Sequence, residues 1–182
     1  MTTKILPILF SVAVMVSCSN DIALRDKLRN LYSTPIIIPD SGVVLIDNSN
    51  CDNHQDRVPK SEYELLIFCG SDECSTCAMN KMSEWNSFLN LEEKGRISMR
   101  FMFNPPKHEI DNVIRAYRTS GLEHPVELDT CGIFLEKNPQ IPQAGVFHVL
   151  LLDKANNILL VGNPLHNKDI RKLFFEIIES DK

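Results

Sequence analysis

The stretch that decides the fold is residues 63–77, which read YELLIFCGSDECSTC. Its first half is mostly apolar and ends at a glycine, which predicts a buried strand from Tyr63 to Cys69. Cys74 and Cys77 follow after a short polar turn, and the apolar residues up to Asn90 recur at helical spacing. The sequence therefore predicts a helix over 74–90, with the two cysteines at its start.

The alternation of strands and helices continues towards the C-terminus. The patterns predict strands at Ile97–Phe103, Pro125–Leu128, Val146–Leu152 and Ile158–Val161, and helices at 108–119, 131–138 and 167–180. Strands joined by helices pair in parallel, whereas a tight turn at Asn156-Asn157 makes the last two strands an antiparallel hairpin. The order predicts an α/β fold, a three-layer sandwich with a mixed central sheet. Upstream, residues 34–39 and 43–46 predict two further short strands.

Composition limits the class of protein. The chain has 182 residues, of which 43% are hydrophobic and 24% are charged. This balance is typical of a globular domain and excludes a disordered chain, a collagen-like chain or a polytopic membrane protein. The net charge of −5 argues against a nucleic-acid partner. No phosphate-binding glycine loop or paired-histidine zinc motif is present, and we expect no cofactor.

The position of the cysteine pair indicates its chemistry. Backbone N–H groups at a helix start stabilise a thiolate, so we expect the pKa of Cys74 to lie below that of a free thiol. Cys77 lies one turn further on and can close a disulfide with Cys74. An exposed thiolate with a partner three residues away is suited to thiol–disulfide exchange. A structural disulfide at a helix start is the alternative.

From about residue 60 to residue 180 the chain resembles the thioredoxin-like superfamily. The resemblance is strongest to membrane-anchored thiol–disulfide oxidoreductases, to peroxiredoxin-like proteins and to thioredoxin-like lipoproteins of Bacteroidetes. It is carried by Leu66-Ile67-Phe68, Cys74-Ser75-Thr76-Cys77, Trp85, Pro125–Asp129, Gly145–Asp153 and Ile158–Gly162. It implies that Cys74 attacks a protein disulfide, that Cys77 resolves the mixed disulfide, and that a redox partner resets the pair.

Three positions depart from the family pattern. Phe147 stands where family members usually have a cis-proline, and Glu73 stands where a tryptophan usually precedes the first cysteine. A carboxylate beside the thiolate is expected to raise the pKa of Cys74, and Asp72 adds to this effect. Phe68 occupies the position of a buried acid or amide that assists the second thiol. The Phe147 and Glu73 departures favour the alternative of a binding or accessory lipoprotein, which keeps the fold and uses the disulfide only as a structural crosslink.

A third hypothesis is metal delivery. His148 lies beside the cis-proline position, so the resemblance places it facing the cysteine pair. Two thiolates and an imidazole suit copper or zinc, which makes Cys74, Cys77 and His148 a candidate ligand set. A histidine held by hydrogen bonds in the strand is the alternative.

The remaining cysteines are Cys18, Cys51, Cys69 and Cys131. Cys69 is expected to be a small buried apolar residue. Cys51 and Cys131 could form a second disulfide or remain free.

The N-terminus predicts export and anchoring. Ile5 to Val16 is an apolar run after a single lysine, and it is shorter than the about 20 residues that span a bilayer. Met15-Val16-Ser17-Cys18 resembles a lipoprotein lipobox, and an ordinary cleaved signal peptide is the alternative. We therefore expect a signal peptide at 1–17, a tether or short helix at 18–34, and a thioredoxin-like domain at 35–182 with its core at 60–180. Acyl chains such as palmitate on Cys18 would hold the chain in the bacterial cell envelope, at the outer membrane, facing the periplasm or the exterior.

Overall fold

A computed structural model describes residues 23–47, 61–143, 145 and 148–180. In chain order its elements are α1 (23–31), β1 (Val44–Ile46), β2 (Tyr63–Cys69), α2 (Ser75–Met79), α3 (Asn86–Glu93), β3 (Ile97–Phe103), α4 (Ile110–Ser120), β4 (Val126–Leu128), α5 (Ile133–Lys137), β5 (Val149–Asp153), β6 (Ile158–Val161) and α6 (Lys168–Glu179). Two 3₁₀ helices, Met82–Trp85 and Lys107–Glu109, precede α3 and α4. No helix within these ranges is long and apolar enough to cross a membrane.

The strands form one mixed sheet in the order β1-β4-β3-β2-β5-β6. β2 is parallel to β3 and antiparallel to β5, and β3 is parallel to β4. β5 and β6 form the expected antiparallel hairpin, and β1 closes the other edge antiparallel to β4. The predicted α/β class and mixed sheet are confirmed.

Helices cover both faces of the sheet. All seven residues of β2 are buried, and successive side chains point to opposite faces. One face packs against α2, α3, α4 and α6 around Trp85, Phe88, Val113 and Phe174. The other packs against α1 and α5 around Leu31 and Phe134. The result is the three-layer arrangement expected from the sequence, with the carboxyl end of β2 leading directly into the cysteine pair.

The prediction of a single helix over 74–90 is wrong. The chain forms α2, then the 3₁₀ helix, then α3. Met79, Met82 and Trp85 are all buried, and their spacing of three residues matches the 3₁₀ repeat rather than the α repeat. Of the predicted inward stripe Ala78, Met82, Trp85 and Leu89, Met82 and Trp85 are buried, whereas Ala78 and Leu89 are only partly buried and Met79 and Phe88 are buried in their place.

The strand predicted at 34–39 is also absent. The Ile36 N–H donates to the Asn156 carbonyl at 2.8 Å. The Asn138 side chain, fully buried, accepts from the Ile37 N–H and donates to the Ile37 carbonyl, each at 2.8 Å. Prolines at both ends supply no N–H for a ladder. The segment is consequently held by individual polar contacts beside the second face.

A partly buried His–Glu pair links α3 to the loop before β4. The His124 Nε2 atom lies 3.3 Å from Oε2 of Glu92, and its Nδ1 donates to the Pro125 carbonyl at 2.7 Å. Burial alone would lower the pKa of His124, but the Glu92 carboxylate and the Pro125 carbonyl outweigh it and raise the pKa. Burial would raise the pKa of Glu92, but hydrogen bonds from His124 and from the Met99 N–H lower it.

We expect replacing His124 with glutamine to destabilise the protein by about 1.5–3 kcal/mol in the acidic range, because a charged hydrogen bond is lost. The folded-state pKa of His124 is raised above its ordinary 6.5, so its contribution is complete below that pH and disappears as the pH rises through the folded value. The pKa of Glu92 is lowered from its ordinary 4.5. The pair therefore contributes fully to the free energy of unfolding between pH 4.5 and pH 6.5, the two ordinary pKa values. Urea unfolding of both proteins at pH 5.5 and pH 9 measures this, and a difference in stability that is the same at both pH values would contradict it.

Candidate active site

The two cysteines of the predicted pair are bonded to each other. Their sulfurs are 2.11 Å apart and their Cα atoms 5.2 Å apart. Cys74 precedes α2, and its sulfur accepts the N–H of Cys77 at 3.2 Å. Both side chains are exposed. The bond is therefore open to attack by an external thiol, and it lies at the carboxyl end of the central strand β2.

The helix that begins directly after Cys74 and contains Cys77 is shorter than the sequence predicts. α2 has five residues, so the long helix dipole on which the expected lowering of the Cys74 pKa rested is absent. Only the first-turn N–H groups remain to stabilise a thiolate.

Glu73 points inward, away from its exposed neighbours Asp72 and Cys74. Its Oε1 atom lies 2.6 Å from Nδ1 of His148. The two atoms are buried, do not meet the angles of a regular hydrogen bond, and have no other partner. The carboxylate expected to act on the cysteine pair is thus in direct contact with the one histidine expected to face that pair.

The backbone holds His148 in this position. Its carbonyl accepts the Phe68 N–H at 2.8 Å, and its own N–H donates to the Gly145 carbonyl at 3.0 Å. Only 2% of the side chain is exposed, and its Nε2 lies 2.9 Å from the Pro142 carbonyl oxygen. His148 therefore joins the loop before β5 to the turn that carries the cysteines.

Glycines allow the close approach of these segments. A Cβ atom on Gly145 would lie 2.7 Å from Oε1 of Glu73, which is too close for any other residue without movement. A Cβ on Gly70 would lie 2.9 Å from Oδ1 of Asp72 and 3.6 Å from Cε1 of His148. The Glu73–His148 contact is enclosed by backbone on both sides.

The metal hypothesis does not fit His148. Its Nε2 is bound to a backbone carbonyl and its Nδ1 faces Glu73, so neither nitrogen is free to join Cys74 and Cys77 around an ion. Within the part of the chain that the structure describes, no group of three candidate ligands is brought together. The alternative, a histidine held in place by the fold, describes His148 better.

Phe68 fills the position where the family pattern has an acid or amide. Its ring is 4% exposed and packs on Phe134 and His148, with ring centroids 4.8 Å and 5.1 Å away. Phe147 and Cys18 lie outside the described residues, so their predicted roles remain predictions.

Cys69 is buried beside the pair, as predicted, with 3% of its surface exposed. Its sulfur lies 3.8 Å from the Ser75 hydroxyl. Burial, more than the nearby Glu73 and Asp72 carboxylates, raises the pKa of this thiol to about 12. Cys69 is therefore a poor nucleophile. Cys131 is free and exposed, and Cys51, its possible partner, lies outside the described residues.

The sequence analysis named Cys74, Cys77, Glu73, His148 and Phe68, but it missed the contact between Glu73 and His148 and the part played by Gly145 and Pro142. Glu73 and His148 had both been placed near the cysteine pair, one by chain adjacency and one by resemblance. The glycine at position 145 was the available signal, since a glycine often marks close backbone approach.

The comparisons with known proteins concern the fold. No protein-family model and no curated protein matches the chain. The chain is similar to the crystal structure of a thioredoxin-like protein from Bacteroides caccae, with 13% identity, a TM-score of 0.42, and coverage of 64% of this chain but 41% of that one. The chain thus spans less than half the length of that protein.

Two further solved structures are similar. A thioredoxin-like protein solved in its oxidised form has 12% identity and a TM-score of 0.49, covering 78% of this chain and 94% of that one. A domain of a possible thiol–disulfide isomerase from Cytophaga hutchinsonii has 19% identity and a TM-score of 0.42, covering 68% and 81%. The fold itself is given by the chain's own mixed six-stranded sheet with helices on both faces, which is the α/β arrangement that the sequence predicts.

Proposed function

We propose that the chain is a thiol–disulfide oxidoreductase whose active pair is Cys74 and Cys77. The observation that carries the proposal is the exposed disulfide between them, placed after the central buried strand of a thioredoxin-like sheet. The substrate class is a protein dithiol or disulfide, and a second redox protein resets the pair.

Exchange transfers two electrons from a substrate dithiol to the Cys74–Cys77 disulfide. A substrate thiolate attacks Sγ of Cys74, a new disulfide bond forms, and the Cys74–Cys77 bond breaks with Cys77 leaving as a thiolate that takes up a proton. The second substrate thiol loses its proton and attacks the substrate sulfur of the mixed disulfide, which expels Cys74 as a thiolate. The substrate loses two electrons and becomes a disulfide, and the pair gains them. The reverse direction uses the same steps.

As a structural crosslink, a disulfide at this position would stabilise the protein less than one that closes a longer loop. In the chain-entropy relation a disulfide that closes a loop of four residues contributes only about 2 kcal/mol, against about 3 kcal/mol for a loop of 15. Its exposure also leaves it open to reduction. These two facts support exchange over a purely structural bridge.

Trapping tests the proposal. Reduced protein carrying Cys77→Ser is incubated with an oxidised model protein substrate, and the products are separated without reducing agent. We expect a mixed disulfide through Cys74, because the resolving thiol is missing. The matched control, Cys74→Ser with Cys77 intact, should trap far less, and equal or absent trapping in both variants would refute the assignment.

We also propose that the mature chain is a lipoprotein of the bacterial cell envelope, attached through Cys18 at the outer membrane and facing the periplasm or the exterior. The support is the apolar run that ends at Met15-Val16-Ser17-Cys18. Replacing Cys18 with serine in the full chain should abolish incorporation of radiolabelled palmitate and release the protein from the membrane fraction. A variant that is still labelled, or that stays membrane-bound to the same extent, would contradict the anchor.

A further inference from the structure

The Glu73–His148 contact must hold a proton. The Pro142 carbonyl can only accept, so Nε2 of His148, 2.9 Å away, carries a hydrogen and donates it. If His148 were neutral and Glu73 ionised, the bare Nδ1 atom would face a carboxylate oxygen at 2.6 Å with no proton between them. Two buried acceptors at that distance repel, and neither atom has another partner.

One proton removes this conflict. It lies either on Nδ1, giving an imidazolium beside a carboxylate, or on Oε1, giving a neutral imidazole beside a carboxylic acid. In both arrangements the two side chains together carry no net charge. His148 therefore cancels the negative charge that Glu73 would otherwise place one residue from Cys74.

The other groups around the pair do not supply this proton. The Cys69 thiol stays protonated because burial raises its pKa to about 12. Asp72 faces Gly70 on the exposed side of the turn and adds negative charge there. Phe68 and Phe134 close the other side with apolar rings. The Cys69 thiol also hydrogen-bonds with Glu73, but it is neutral and cancels no charge. Among the described residues, His148 is thus the group in contact with Glu73 that can carry a positive charge.

We propose that His148 neutralises Glu73 beside the Cys74–Cys77 pair and so keeps the cysteine thiolate available for exchange at neutral pH. His148 acts through Glu73, so it is a positioning and charge-setting residue. The inference rests on the proposed function of the pair. It also explains how a carboxylate can directly precede the attacking thiol without suppressing it.

The test is the pH dependence of Cys74 alkylation in the reduced protein, read by peptide mass with iodoacetamide as the probe. Four proteins are compared: wild type, His148→Gln, Glu73→Gln and the double variant. We expect His148→Gln to slow alkylation at pH 7 by about tenfold, since an uncompensated carboxylate disfavours the thiolate. Glu73→Gln should not slow it, and the double variant should match Glu73→Gln.

The double variant shows whether His148→Gln slows alkylation through the charge of Glu73 or through a structural change. If it were as slow as His148→Gln, or if His148→Gln alkylated at the wild-type rate, the inference would be wrong. His124→Gln is the matched control, because it breaks another His–Glu pair and should leave the alkylation rate unchanged. Should His148→Gln fail to fold, wild type and Glu73→Gln are compared at pH 7, and we expect equal alkylation rates because His148 already cancels the charge of Glu73. A Glu73→Gln protein that is alkylated several times faster than wild type would overturn the inference.

This experiment is independent of protein exchange. A small alkylating reagent reports the charge around Cys74 whether or not the pair reacts with a protein. Charge coupling without trapping would refute the proposed function alone, whereas trapping without charge coupling would refute the role of His148 alone.

Discussion

Replacing Arg100 with alanine is expected to lower the free energy of unfolding by about 3–5 kcal/mol, because it leaves buried carboxylates without their counter-charge. Nε of Arg100 lies 2.7 Å from Oε1 of Glu64, and Nη1 lies 2.5 Å from Oε1 of Glu127. The three side chains are only 12%, 8% and 16% exposed. Burial would lower the pKa of Arg100, but the two carboxylates outweigh it and raise the pKa, so the guanidinium is charged throughout.

Urea unfolding at pH 7 measures this loss. The Arg100→Met, Glu64→Met, Glu127→Leu triple variant is the control, because replacing a whole buried ion cluster with apolar residues of similar volume is often neutral or stabilising. A loss below about 1 kcal/mol at pH 7 would show that the cluster is solvated and contributes little.

Replacing Cys74 with serine is expected to lower the rate of thiol–disulfide exchange with a protein substrate by at least about a thousandfold. Cys77 is then left without a partner to resolve a mixed disulfide, and neither Cys69 nor Cys131 can replace Cys74. Cys69 is buried, and burial raises its pKa to about 12, so its thiol stays protonated at pH 8. Cys131 is exposed but has no neighbouring thiol among the described residues to resolve a mixed disulfide.

The rate is measured by reduction of a fluorescently labelled disulfide substrate under a constant supply of dithiothreitol. Cys131→Ser and Cys69→Ser are the matched controls and should keep the wild-type rate. Exchange that survives in Cys74→Ser, or that is lost in Cys131→Ser, would move the chemistry away from the proposed pair.

Most of the fold follows from local patterns. The apolar run of β2 and the near-continuous apolar run of β5 predict buried strands, and the helices between the strands dictate parallel pairing. The Asn156-Asn157 pair predicts the turn of the terminal hairpin, and in the structure Asn156 has the positive φ, 63°, that such a turn needs. These features depend on residues close in sequence, so one sequence is enough to place them.

The errors arise where tertiary contacts override local preference. The run 74–90 has a helical stripe, yet Met79, Met82 and Trp85 require a tighter pitch to reach the core together. Ile36 and Ile37 resemble a strand, yet their backbone groups are satisfied by Asn156 and by the buried Asn138 side chain. Neither partner is visible from the segment itself.

The site shows the same division. The cysteine pair was found because its position at a strand–helix junction is a local property. The contact of Glu73 with His148 joins residues far apart in sequence, and it changes the meaning of Glu73. A carboxylate expected to oppose the thiolate becomes half of a neutral pair.

The reduction potential of the Cys74–Cys77 bond tests the central claim most directly. It is measured by equilibrating the protein in dithiothreitol buffers of defined potential at pH 7, quenching with acid, and following by peptide mass the free thiols of the peptide that carries Cys74 and Cys77, so that the pair alone is followed. We predict a value above about −300 mV, within the range of exchange-competent pairs. A value well below about −300 mV would identify a structural bridge and contradict the proposed function.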